Sequence, residues 1–187
     1  MIAYSPRGLS VIVTETVAYD VVRSVGLVEI RQYHSLILAT VRGRSDNGAF
    51  GILFDYISGN NRTRQRIPMT APVISTGGRR ERIAMTTPVI SNKGEFSFVL
   101  PQSYSMDTAP EPLDEGVELS LVPPRKVAVL RFRGRATEAN VQKKTSVLLE
   151  TLRGAGLQAK GEPFLMRYNP PFTPGFLRRN EVGTDII

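Results

Sequence analysis

The chain contains no cysteine. Disulfides, thiolate nucleophiles, iron–sulfur clusters and most structural zinc sites are thereby excluded, and the composition fits a reducing, cytoplasmic setting. Histidine is almost as scarce. His34 is the only one, so neither a His-rich metal site nor a Cys–His dyad can be assembled. A Ser–His–Asp triad would have to recruit that residue, and no G-x-S-x-G elbow presents a serine. No stretch approaches the roughly 18 uninterrupted apolar residues of a membrane-spanning helix. The N-terminal run LSVIVTETVAYDVV is interrupted by Glu15 and Asp20, and it lacks the basic n-region and cleavage site of a signal peptide.

What is present describes an ordinary globular chain. Its 187 residues are 41% hydrophobic and 22% charged, enough for one domain with a sizeable core. Residues 1–15 carry few constraints and are expected to form a loosely held arm, with a single domain over 16–187. Net charge is +7, and 19 of the 24 basic residues are arginine. They cluster at NRTRQR (61–66), GGRRER (77–82), RFRGR (131–135) and LRR (177–179). Such clusters serve either an anionic partner or plain solubility. Nucleic acid is disfavoured: the clusters are not interleaved with aromatics, and no helix-turn-helix, zinc finger or RNP motif accompanies them.

Periodicity predicts strands at AYDVV (18–22), LVEIRQY (27–33), LILATVRGR (36–44), GEFSFVLP (94–101), VELSLV (117–122), KVAVLRFRGR (126–135), EPFLMRYN (162–169) and EVGTDII (181–187). A first helix begins at an N-cap offered by Ser45 and Asp46. Phe50, Leu53, Phe54 and Ile57 fall at i, i+3, i+4 and i+7, and Gly59 ends it. A second helix runs from Thr137 to about Arg153, with Val141, Thr145, Leu148 and Leu152 on one face. The order VEI, LILATVRGR, helix recurs as VEL, VAVLRFRGR, helix. The chain therefore reads as a duplicated strand–strand–helix–strand–strand unit of α+β class with pseudo-twofold symmetry.

A shorter repeat lies inside the first half. RIPMTAPVIS (66–75) and RIAMTTPVIS (82–91) agree at eight of ten positions. A third copy, which a solenoid requires, is missing. Pro72 and Pro88 would each interrupt a central ladder, so these segments are expected to be edge strands or strand ends.

These decapeptides share their order and spacing with AYDVVRSVGLVEIRQY (18–33), YISGNN (56–61) and RYNPPFTPGFLRRNEV (167–182). In that combination the sequence resembles the SOUL haem-binding protein family along most of its length. The resemblance implies a distorted eight-stranded, antiparallel-rich β-barrel flanked by two α-helices, similar to the effector-binding domains of bacterial transcription regulators. It also implies haem or another tetrapyrrole held in a shallow apolar groove beside the first helix.

Candidate ligand-binding residues follow. His34 is either an axial ligand for haem iron or a solvent-facing turn residue. Family members thought to use an axial histidine carry it where this chain has Gln32. Phe50 and Phe54 would pack against a flat apolar ligand, or else belong to the helix's core stripe. Arg64 and Arg66 would meet its carboxylates, since residues 46–58 hold no Lys or Arg and include Asp46 and Asp55. Met69 and Met85 offer thioethers, or serve as adaptable core filler. Phe172 completes the set.

The expected function is non-enzymatic binding of haem, another tetrapyrrole or a similar flat amphiphile, for carriage, buffering or sensing. The alternative is an effector-binding or interaction domain for a different small amphiphile. A hydrolase using Glu29 or Asp55 lacks a second, paired carboxylate.

Overall fold

The computed structural model describes residues 15–63, 80–170 and 172–187. The first decapeptide, with Arg64, Arg66 and Met69, and most of the N-terminal arm lie outside the described residues. Among those described, the chain order is β1 (Glu15–Thr16), β2 (Tyr19–Val25), β3 (Val28–Tyr33), β4 (Leu36–Arg42), α1 (Asp46–Ser58), β5 (Asn61–Arg62), β6 (Thr86–Thr87), β7 (Val89–Asn92) and β8 (Glu95–Val99). There follow β9 (Glu111–Pro112), β10 (Glu118–Val122), β11 (Arg125–Arg133), α2 (Glu138–Gly154), β12 (Ala159–Arg167), a 3-10 turn (Gly175–Leu177) and β13 (Arg179–Ile186).

Nine strands form one antiparallel sheet in the order β10-β4-β8-β7-β12-β13-β11-β3-β2. It curls into a half-barrel flanked by the two helices, as the duplicated pattern and the resemblance imply. The ladder holds nine strands rather than eight because β2 adds to β3 at one edge. Without β2, the order reads the same from either end: β10, β4, β8, β7 against β3, β11, β13, β12. The pseudo-twofold axis therefore passes between β7 and β12.

The two repeats exchange their first strands. β3 belongs to the first repeat but pairs with β11 of the second, while β10 belongs to the second and pairs with β4 of the first. Neither half has a complete sheet without the other.

Both helices start on a side-chain cap. Ser45 accepts from Gly48 N at 3.3 Å and Thr137 accepts from Asn140 N at 3.4 Å. Gly59, at φ 123°, ends α1 in a conformation that L side chains rarely adopt. The buried face of α1 is Ala49, Leu53, Tyr56 and Ile57. It is rotated from the expected stripe: Tyr56 is taken inside, where its hydroxyl donates to Pro110 O at 2.8 Å, and Phe54 is left 46% exposed.

Alternation along the strands sorts side chains to two faces. Under α1, Ile37, Ala39 and Val41 of β4 meet Phe96 and Phe98 of β8. Under α2, Leu148 and Leu152 meet Ala128, Leu130 and Phe132 of β11 and Val182 of β13. The opposite, concave face carries Tyr33, Leu36, Val99, Val127, Val129 and Met166. Pro88 falls at the break between β6 and β7, so it is a strand end, as expected of a residue without an N–H. The Thr87–Pro88 peptide is cis. No helix among the described residues is long and apolar enough to cross a membrane.

Strand exchange predicts that the halves unfold together. Leu53→Ala under α1 and Leu148→Ala under α2, both at fully buried positions, should each cost about 2–5 kcal/mol. In urea each should shift the same single transition. Two transitions, with each variant moving a different one, would show independent halves.

Candidate functional site

The N-termini of α1 and α2 both open on one cleft of about 860 Å3, on the side of the sheet that carries the helices. Its floor is apolar: Phe50 from α1, Met85 from the second decapeptide, Val89 from β7 and Phe96 from β8. Phe50 is fixed by an edge-on contact with Phe98, ring centres 5.4 Å apart, and by stacking with Phe54 at 5.9 Å. Its rim is cationic: Arg135 after β11, Arg167 at the end of β12, Arg178 just before β13 and Arg179 at its start. The positive ends of the two helix dipoles face the same space. Asp46 is the acidic residue on the rim, and Arg167 answers it at 2.9 Å. Among the described residues, the Arg135 side chain has no hydrogen-bond or ion-pair partner, and it is exposed.

One wall of the cleft is anchored in a buried charge network. Glu181 is fully buried and accepts from Arg31 Nη1 and Nη2 at 2.7 and 3.1 Å. Arg179 Nη2 donates to it at 2.7 Å and the Tyr168 hydroxyl at 2.7 Å. Arg31, itself 1% exposed, also reaches Glu29 and lies 4.1 Å over the Tyr19 ring. Arg179 sits 4.0 Å over the Tyr168 ring. Burial by itself pushes the Glu181 carboxyl up, but hydrogen bonds from Arg31, Tyr168 and Arg179 outweigh it and hold the group below the usual carboxylate range. Burial pushes Tyr168 up, with the Glu181 charge adding to it, so its phenol stays protonated and donating. Arg179, which lines the cleft, is thus oriented by a fixed anion behind it.

The structure brings together only some of the residues picked from sequence. Phe50 and Met85 line the cleft; Phe54 touches it through Phe50. His34 lies in the β3–β4 turn, its side chain 64% exposed and 3.6 Å from Asp20. It borders a separate depression of about 410 Å3 with Leu36, Tyr104, Met106 and Leu121. Phe172 stands 87% exposed on the loop before β13. Sequence reading noted the clusters that contain Arg135, Arg178 and Arg179 but had no reason to converge them, and it passed over Arg167 altogether. Among the described residues no group of three His, Asp or Glu side chains is arranged to hold a metal ion.

The family model described as SOUL heme-binding protein matches residues 14–185. The chain belongs to this SOUL family. No curated protein matches it. Among solved structures, the C-terminal domain of EcmrR superposes with a TM-score of 0.57 at 9% identity, covering 90% of this chain and 98% of that one. A hydrolase from Listeria innocua gives 0.52 at 10% identity, covering 84% and 91%. EcmrR in an EcmrR–DNA complex gives 0.52 at 10% identity, covering 85% of this chain and 56% of that one. At such identities these likenesses establish that the SOUL chain shares their fold.

A depressed Glu181 pKa fixes the sign of a pH dependence. The pair's contribution is present above the unfolded carboxylate value, about 4.3, and is lost as pH falls through the lower folded value. Glu181→Gln should flatten that acid loss. At neutral pH it should cost roughly 3–5 kcal/mol, because buried Arg31 is left with only the half-exposed Glu29 as counter-charge. Urea melts of both proteins across the acid range check this, and an unchanged acid limb in the variant would contradict it.

Proposed function

We propose that this chain is a cytoplasmic, non-enzymatic carrier or buffer for a flat amphiphile with carboxylate groups, of which haem and metal-free tetrapyrroles are the type. The observation that carries the reading is the floor of Phe50, Met85, Val89 and Phe96 beneath a rim of Arg135, Arg167, Arg178 and Arg179. A planar apolar ring gains roughly 25 cal/mol for each Å2 it buries on such a floor. Charge-assisted hydrogen bonds to arginine then fix the acidic edge of the ligand. The volume falls within the range of small-molecule sites, and the family match supports the ligand class.

The residues of the cleft fit the macrocycle and its carboxylates better than the iron. Bound haem would supply a metal centre for axial coordination. Met85 offers a thioether at the floor, whereas His34 lies in a different depression. Ring burial and arginine pairing are therefore the main sources of affinity.

The alternative reading, an effector site for a different amphiphile, would find little room in the interior of the half-barrel. That interior is nearly filled: the void bordered by Tyr33, Val127 and Met166 measures about 10 Å3. Among the described residues, the deeply buried carboxylate there is Glu181, already held by two arginines, so it offers no free counter-charge to a cationic effector.

Titration of haemin and of metal-free protoporphyrin, followed in the Soret band, tests the proposal. Both should saturate with similar affinity. Arg135→Glu should weaken both about tenfold or more, and His34→Ala should change neither. Loss of haemin binding in His34→Ala, together with no binding of the metal-free ring, would place the ligand on His34 instead. No saturable shift with either compound would remove the tetrapyrrole reading.

A further inference from the structure

Of the eleven large hydrophobic side chains left exposed among the described residues, three fall within six residues of one loop: Phe172 at 87%, Phe176 at 74% and Leu177 at 53%. Single exposed apolar residues are ordinary, but a concentrated patch marks a contact surface. The loop is held firmly. Thr173 N donates to Pro170 O at 3.0 Å, Leu177 N to Pro174 O at 2.9 Å, and Arg178 Nε to Thr173 O at 2.8 Å. At its base Arg179 N donates to Asn169 Oδ1 at 2.6 Å, and Gly134 N donates to Arg178 O at 3.1 Å. The three apolar side chains are thus presented to water by a hydrogen-bonded scaffold.

The surroundings of this tip are cationic. The Arg135 stem lies against Gly175, close enough that a Cβ there would come within 2.9 Å of it. Its guanidinium, which has no partner among the described residues, therefore lies at the Gly175 turn that carries Phe176 and Leu177. Exposed Arg133 faces Arg179 across the β11–β13 ladder. Arg178 braces the loop from within.

We propose that the tip formed by Phe172, Phe176 and Leu177 is an interfacial anchor that docks on an anionic lipid surface. The apolar side chains enter the boundary between headgroups and acyl chains, and Arg133 and Arg135 meet the acidic headgroups. A six-residue tip is too small to supply the roughly 800 Å2 that each partner buries in a standard protein interface, whereas insertion into a bilayer needs only a projecting apolar tip ringed by positive charge. Asn169, Pro170, Arg135 and Arg178 belong both to these loops and to the rim of the cleft. Docking therefore sets the cleft mouth at the membrane, where a flat amphiphile partitions. The docking itself needs no ligand in the cleft.

Co-sedimentation of the full chain with phosphatidylcholine vesicles, with and without phosphatidylserine, tests this. Binding should require phosphatidylserine and fall as salt rises. The double variant Phe176→Ser/Leu177→Ser should lose on the order of a hundredfold in partitioning. Its porphyrin titration in solution should stay at the wild-type value, and a cooperative urea transition shows independently that it folds. Arg133→Ser should lose about fivefold. Equal partitioning of wild type and double variant, or no binding to phosphatidylserine vesicles, overturns the proposal. So does a concentration-dependent dimer, formed without vesicles and abolished by the double variant, which would assign the tip to a second copy of the chain. The vesicle result stands apart from the titration, so failure of the tetrapyrrole reading and failure of the anchor are separately visible.

Discussion

The rest of the structure depends on the exchange of first strands between the two repeats, and the bidentate pair of Arg31 and Glu181 sits at the seam it creates. Arg31 lies on β3 of the first repeat, Glu181 on β13 of the second, and both strands flank β11. Because β3 pairs with β11 across the repeat boundary, the halves share one sheet and one concave core. A buried ion pair is weak evidence for extra stability in itself, since desolvation opposes the attraction. Here its geometry is close and its remaining acceptor sites are filled by Tyr168 and Arg179. Its clearest physical effect is positional. It fixes the register of β3 against the second repeat, and it holds Arg179 where the cleft needs a cation.

The cleft follows from the same symmetry. Duplication places two helices on one side of the sheet, and their capped N-termini meet near the axis between β7 and β12. β7 contributes Val89 and β12 contributes Arg167, which are register partners across that axis. Apolar floor and basic rim therefore come from opposite halves of a single chain. The concave side, which the strand exchange packs with Val127, Val129 and Met166, has no room for a ligand. A fold of this kind offers two faces for binding, and the side chains of this sequence fill one and leave the other open.

Much of this was legible in the residues. The duplicated order of VEI and VEL, each followed by a strand and a helix, gave the α+β class, both helices and the twofold pattern, because local periodicity and caps decide them. The motifs from AYDVV to RRNEV named the family. The exchange of β3 and β10 was not legible: the same alternating strands would fit pairing within each repeat, and only the assembled sheet chooses between them. The face of α1 was misjudged by part of a turn, since Tyr56 finds its buried acceptor, Pro110 O, 54 residues away. Nothing in VEIRQY or NEV marks Arg31 and Glu181 as partners, for a charged residue in a strand gives no local sign of a partner 150 positions distant. The arginines of the rim were visible as clusters, yet they lie in segments joined only by the sheet.

The central claim is that a flat carboxylated ligand occupies the cleft between the helix N-termini. Methyl chemical-shift mapping of the protein with metal-free protoporphyrin tests it most directly, because ring-current shifts report the position of the macrocycle. The account predicts the largest shifts at Met85 and Val89, with Met106 and Leu121 of the His34 depression unmoved. Shifts concentrated on Met106 and Leu121 instead would contradict it.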